Sequence, residues 1–208
     1  MPGVSLNGAL RRVPPGVVYL LGLLPLAWIV WLTLSGGIGV DPVKGIEHRL
    51  GKVALWFLVG GLAITPLRRI TGLNLLRYRR GVGLLGFAYV AAHLLAWVVL
   101  DMGLLWAQAA ADLVKRPYLL LGITGFALLV PLALTSNTAS VRRLGRNWRR
   151  LHWLVYPAVS LGVLHYLMQM KVISSEGWIW AAVLAGLLGV RLVLRFWGRL
   201  GVLRANAG

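Results

Sequence analysis

The stretch LHWLVYPAVSLGVLH (residues 151–165) decides the fold, because it is apolar and yet has one histidine near its start and another at its end. A run of this kind approaches the ~20 residues that a helix needs to cross ~30 Å of hydrocarbon. Comparable runs recur along the chain, so we predict an all-α integral membrane protein, with residues 1–208 forming a single bundle of six transmembrane helices. The predicted spans are residues 17–34, 50–67, 82–100, 118–135, 151–169 and 178–197.

The composition agrees with a membrane protein, since 59% of the 208 residues are hydrophobic and the mean hydropathy is +0.78. The formal net charge of +17 would suit a nucleic-acid partner. The basic residues, however, lie in short clusters between apolar runs, which indicates membrane topology and no nucleic-acid partner. The chain has no cysteine, which excludes disulfides, thiolate chemistry and cysteine-ligated metals.

The distribution of charge predicts the orientation of the bundle. Most of the 22 basic residues fall in alternate connecting segments, and all five acidic residues fall in the others. The positive-inside rule therefore predicts that both termini lie on the cytoplasmic side. The first apolar run follows Arg11 and Arg12 and is not followed by a small-residue cleavage site, so we expect a retained span and not a signal peptide.

Histidines are the notable ionisable residues inside the predicted spans. His93 and His165 each lie ~18–20 Å from the cytoplasmic end of spans that run in the same direction. Two neutral imidazoles at one depth can ligate one metal from both sides, and in an apolar bundle the flat group that suits them is haem. We therefore predict that His93 and His165 are axial haem ligands; the alternative is that they are hydrogen-bonded packing residues.

His152 lies at the cytoplasmic end of its span, ~20 Å from His165 along the helix. A facing residue on the third span would be an arginine near position 80, so a second haem there would need another ligand. His152 is thus a candidate contact for a second haem, a flavin or a quinone. His48 is expected to be an interfacial, structural residue. The neighbouring arginines are topology signals or candidate contacts for haem propionates or a flavin phosphate: Arg77, Arg79, Arg80, Arg149 and Arg150.

Longer motifs carry a family resemblance. They are GGIGVDPVKGIEHRLGKVALWF (36–57), AYVAAHLLAWVV (88–99), KRPYLLLGITGFALLVPLALTS (115–136) and RRLGRNWRRLHWLVYPAVSLGVLHYL (142–167). With these stretches the chain resembles the MsrQ (YedZ) family, the haem-binding membrane subunits of bacterial periplasmic methionine sulfoxide reductase systems. That family lies within the wider ferric reductase-like transmembrane group.

The resemblance implies a multi-pass, lipid-embedded protein of the bacterial inner membrane that carries haem b, with one or two haems, and flavin mononucleotide as a further cofactor. It implies an electron-transfer subunit and not the catalytic subunit. Electrons would come from the quinone pool and go to MsrP, a periplasmic molybdenum-cofactor reductase that repairs oxidised proteins. The family's haem-iron histidines match His93, His152 and His165.

Two other functions stay open at this point. The first is a cytochrome b subunit, or a ferric reductase, that serves another acceptor. The second is a non-redox protein, such as a small transporter or a haem-handling membrane protein. The absence of acidic residues deep within the predicted spans argues against the transporter, because ion and proton pathways usually need them.

Overall fold

Six helices are long and apolar enough to cross a membrane in the computed structural model, which describes the backbone of residues 3–205 and the side chains of residues 6–194. The described residues form no strand, and the prediction of an all-α, six-span protein is confirmed. The predicted end of the sixth span, with Arg195 and Trp197, has side chains outside the described residues. We number the helices spans 1 to 6: Val17–Leu34, Pro42–Thr71, Leu76–Asp101, Pro117–Leu134, Arg146–Met168 and Ser175–Leu194.

Span 2 is longer at both ends than the predicted 50–67. Its first turn is stabilised by Asp41, whose side chain accepts a hydrogen bond of 3.1 Å from the backbone N–H of Lys44, and by Pro42 at the first helical position. It ends at Gly72, which has a left-handed φ of 76° that glycine adopts without steric cost. Apolar content alone underestimates the span because its polar ends continue the helix beyond the hydrocarbon.

Spans 3 and 5 are not regular α-helices throughout. Span 3 ends in a π-helical turn at Trp97–Asp101, directly after the α-helix that carries His93. Span 5 contains a 3₁₀ turn at His152–Leu154, before the α-helix Val155–Met168 that carries His165. A 3₁₀ turn has three residues per turn and not 3.6. The angle between the side chains of His152 and His165 along span 5 therefore does not follow straight-helix periodicity.

The bundle is built from two closely packed helix pairs, span 2 with span 3 and span 4 with span 5. Leu62 of span 2 and Val159 of span 5 are the most buried large side chains in the described part of the chain, with 1% and 0% of their surface exposed. Leu55, Leu58 and Val163 complete this contact between the pairs. Span 2 of the first pair thus packs directly against span 5 of the second.

Arg191 connects span 6 to the two pairs. Pro66 has no N–H to donate to the carbonyl of Leu62, four residues earlier, and Arg191 Nη2 donates to that carbonyl instead. Arg191 Nη1 also donates to the hydroxyl of Tyr156 on span 5, at 2.7 Å. A proline that interrupts one helix is thus matched by a cation on another, which satisfies the free carbonyl within the bundle.

The helix Gly3–Arg12 precedes span 1 and is fixed to the loop after span 2. The side-chain amide of Asn7 donates to the carbonyl of Gly72 at 3.0 Å, and the N–H of Asn74 donates back to Asn7 at 2.9 Å. This paired contact holds the loop that leads into the start of span 3.

Candidate functional site

A cavity of about 370 Å³ lies between spans 2, 3, 4, 5 and 6, at the bundle end that carries the connections 35–41, 102–116 (which contains the helix Trp106–Lys115) and 169–174. We call this the outer end, after the predicted topology, and the cavity the outer cavity. Its walls are mostly apolar, and His93 and His165 both line it. A pocket of this size, apolar with a few polar groups, is typical of sites for small ligands and cofactors, which occupy roughly 300–1,000 Å³.

The structure brings His93 and His165 together across this cavity. Their ring centres are 6.1 Å apart and the ring planes are inclined at 74°. His93 Nδ1 lies 2.9 Å from the carbonyl oxygen of Glu47, and His165 Nδ1 lies 2.7 Å from that of Tyr118. Because a carbonyl oxygen only accepts, each Nδ1 carries the proton and each Nε2 keeps a free lone pair. Both imidazoles are therefore held in the tautomer that can ligate a metal.

Two glycines make room for the two rings. Gly51 lies one helical turn after Glu47, and Gly122 lies one turn after Tyr118. A Cβ atom at Gly51 would lie 3.3 Å from His93 Nδ1, and one at Gly122 would lie 2.9 Å from His165 Nδ1. The same local arrangement thus occurs twice, with an imidazole reaching a helix carbonyl through the space that a missing side chain leaves.

The mouth of the outer cavity is polar. His48 and Lys52 lie one turn apart on span 2, and Glu176 lies at the start of span 6. Lys52 Nζ and Glu176 Oε2 form an ion pair of 2.7 Å, and both side chains are about half exposed. The expected interfacial position of His48 corresponds to this mouth.

A second cavity, of about 570 Å³, lies at the opposite end of the bundle, and we call it the inner cavity. His152 lines it, and its ring is stacked on that of Trp148 with 3.8 Å between the ring centres. Both ring nitrogens of His152 are shielded from solvent, and neither makes a hydrogen bond of standard geometry to the described part of the chain. Such a polar group has an unmet requirement for a partner, which a ligand can supply.

The predicted arginine contacts divide into two groups. Arg79, Arg80 and Arg149 line the inner cavity together with His152. Arg77 is used elsewhere, since its Nη1 donates to backbone carbonyls of the helix Gly3–Arg12, the closer of them at 2.7 Å. Arg150 is not among the residues that line either cavity in the described part of the chain.

His152 lies in a different cavity from His93 and His165. Accordingly, the described residues contain no cluster of three or more histidine, cysteine or acidic residues that could hold a metal ion. The outer pair can therefore ligate only a metal that brings further ligands of its own. His152 is the one histidine that lines the inner cavity among the described residues.

A thin apolar layer separates the two cavities. Leu58 and Leu129 line both of them and are almost fully buried. Phe87 lines the inner cavity and Phe126 the outer one, and their rings are stacked with centres 5.6 Å apart and planes inclined at only 6°. The bundle thus holds two ligand-sized cavities in series along the membrane normal, with aromatic and aliphatic side chains between them.

Comparison with known proteins agrees with this architecture. The family of ferric reductase like transmembrane components matches residues 48–163. This range includes spans 3 and 4 and contains His93 and His152, but not His165. No solved structure shows significant similarity to the chain.

Several bacterial proteins resemble almost the whole chain. One from Agrobacterium fabrum is 46% identical over 193 residues, covering 91% of this chain and 90% of its own length. One from Brucella anthropi is 43% identical over 198 residues, covering 93% and 90%. Both are named "Protein-methionine-sulfoxide reductase heme-binding subunit MsrQ". The chain therefore belongs to the MsrQ family, within the ferric reductase-like transmembrane proteins.

Proposed function

We propose that this protein is a haem b subunit that carries electrons across the bacterial inner membrane to a periplasmic methionine sulfoxide reductase of the MsrP type. The observation that carries the proposal is the pair of facing imidazoles in the outer cavity, His93 and His165, each with a free Nε2. The relatives named above are haem-binding subunits of a methionine sulfoxide reductase, which supports the same function here.

The geometry of the pair fits axial ligation of haem. Metal–imidazole bonds of ~2.0 Å place two nitrogens on opposite sides of one metal about 4 Å apart, and the ring centres about 6 Å apart. The observed distance between the ring centres is 6.1 Å. The haem ring itself supplies the remaining iron ligands, which explains how a site with two protein ligands can be complete.

A bound haem supplies a one-electron redox couple, and the protein supplies ligation, burial and orientation. The carbonyls of Glu47 and Tyr118 fix the tautomer and the direction of the two imidazoles and increase their basicity as ligands. The apolar walls exclude water from the space between the imidazoles. No residue of this chain is assigned a role in the reduction of methionine sulfoxide, because that reaction belongs to the partner.

The inner cavity is the proposed site of electron entry from the quinone pool, directly or through flavin mononucleotide. The ring nitrogens of His152, which make no hydrogen bond of standard geometry to the described part of the chain, are placed to bond a quinone or flavin oxygen, and Trp148 offers a flat surface for stacking. Arg79, Arg80 and Arg149 suit the phosphate of a flavin or the propionates of a second haem. The described lining has no second histidine, so a second haem would need a different axial ligand.

Oxidation of the quinol supplies the test of this function. The purified protein is mixed with a reduced short-chain quinone, and the haem absorbance is followed before and after addition of MsrP with a methionine sulfoxide peptide. We expect quinol to reduce the haem and MsrP to reoxidise it. His152→Ala should keep the haem and slow its reduction by at least about tenfold, since one direct hydrogen bond to a buried ligand is lost.

The outcomes separate the alternatives. Reduction by quinol without reoxidation by MsrP would indicate a cytochrome b subunit that serves another acceptor, such as ferric iron. If the protein holds haem loosely and quinol does not reduce that haem, the protein is a haem-handling membrane protein. This result would contradict the proposed function. If quinol reduces the haem of His152→Ala as fast as that of the wild type, the assignment of the inner cavity as the electron-entry site is wrong.

A further inference from the structure

Lys52 is the one lysine or arginine that lines the outer cavity among the described residues. It follows Gly51, the glycine that makes room for His93, and it lines the same cavity as the two imidazoles. Its partner, Glu176, belongs to span 6 and lines the same cavity. A single positive charge in a mostly apolar pocket is typical of a site that orients one anionic group of a ligand.

The ion pair between Lys52 and Glu176 is suited to exchange. Its distance is short, 2.7 Å, but the Lys52 side chain is 43% exposed and the Glu176 side chain 45% exposed. Half-exposed ion pairs contribute little net stability, because solvent screens them and competes for both charges. Another carboxylate that enters the cavity can therefore compete with Glu176 for Lys52.

We propose that Lys52 is the binding residue for a ligand carboxylate in the outer cavity, and that Glu176 occupies it when that carboxylate is absent. The inference rests on the proposed function, in which the ligand is haem, a molecule with two propionate carboxylates. One propionate then pairs with Lys52 at the mouth of the cavity while His93 and His165 hold the iron. Lys52 would in this way favour one orientation of a bound haem in the outer cavity.

The test compares haem with its dimethyl ester, which has the same iron and ring but no free carboxylate. Each is reconstituted into the detergent-solubilised protein, and its loss to an excess of apomyoglobin is followed by absorbance. We expect wild type to release haem about fivefold more slowly than the ester, the factor that corresponds to one partly exposed ion pair. In Lys52→Met the difference should disappear, because both compounds then lack a cationic partner.

Two further variants give matched controls. Lys44→Met removes a lysine of the same span that is also paired with an acid, Asp41, at 3.0 Å, but does not line the cavity. It should keep the difference between haem and ester. Lys52→Arg keeps the charge and should keep most of the difference, which distinguishes charge from side-chain packing.

Glu176→Gln should change the rate of haem release in the opposite direction from Lys52→Met, which provides an independent test. Removing the competing carboxylate should make haem release slower by about two- to fivefold and leave release of the ester unchanged. Equal release of haem and ester from wild type, or a difference that persists in Lys52→Met, would overturn the assignment of Lys52 and leave the proposed function intact. A wild-type protein that retains neither compound would overturn both.

Discussion

Replacing His165 by alanine is expected to reduce the haem that copurifies with the protein at least about tenfold, because an axial iron ligand is lost from an apolar cavity that offers no substitute. His93→Ala should have the same effect, since the two imidazoles face each other with ring centres 6.1 Å apart and the proposed function assigns both of them to the same iron. The measurement is the haem-to-protein ratio from pyridine haemochrome absorbance after purification in mild detergent.

His48→Ala is the matched control, because His48 lines the same cavity at its mouth but is not paired with either imidazole. It should retain its haem. Imidazole added to His165→Ala should restore part of the haem absorbance, which would show that the variant is folded and lacks only the ligand. Normal haem content in both His93→Ala and His165→Ala would contradict the assignment of these residues as ligands.

Gly122→Ala is expected to produce the second large effect without altering any ligand. The new methyl group would lie 2.9 Å from His165 Nδ1, a distance that real Cβ atoms essentially never show, and 3.0 Å from Cε1. The imidazole must then leave the carbonyl of Tyr118 and turn within the cavity. Loss of the hydrogen-bond partner that orients a metal ligand typically costs 10–100-fold in metal affinity, so we expect haem affinity to fall by at least about tenfold.

The comparison with other glycines makes this prediction specific. Gly51→Ala should have a smaller effect, because its methyl group would lie 3.3 Å from His93 Nδ1 and a small shift of the ring would accommodate it. Gly60→Ala, on the same span as Gly51, meets no atom within 4 Å and should bind haem like wild type. Equal haem affinity of Gly122→Ala and Gly60→Ala, measured by haem titration, would contradict the proposed role of the close approach.

Hydropathy was sufficient to predict the fold class and the number of spans. Each apolar run is long enough to cross the membrane, and in lipid such a run satisfies its backbone hydrogen bonds only as a helix. The limits of span 2 were predicted less well, since Asp41 and Gly72 set them through capping, outside the apolar window. The depths of His93 and His165 could be calculated from the rise per residue, and the structure brings these two side chains together.

Other features of the site depend on tertiary contacts that no local pattern contains. The carbonyls of Glu47 and Tyr118 are ordinary helix carbonyls, and only the packing of span 2 on span 3 and of span 4 on span 5 brings a histidine to each. Gly51 and Gly122 look like any other small residue in a membrane helix. The stacked rings of Phe87 and Phe126 lie between the two cavities and come from different spans, so no local pattern predicts their contact. The 3₁₀ turn at His152 likewise could not be deduced from periodicity.

The spectrum of the wild-type protein tests the central claim most directly. Two imidazoles would occupy both of the positions that the haem ring leaves open on its iron, so none would remain for an added gas ligand. We therefore predict at least one haem b per chain, low-spin when oxidised, with a reduced spectrum that carbon monoxide does not change. Absence of stoichiometric haem, or a haem that is high-spin and converts fully to a carbon monoxide complex, would contradict ligation by His93 and His165.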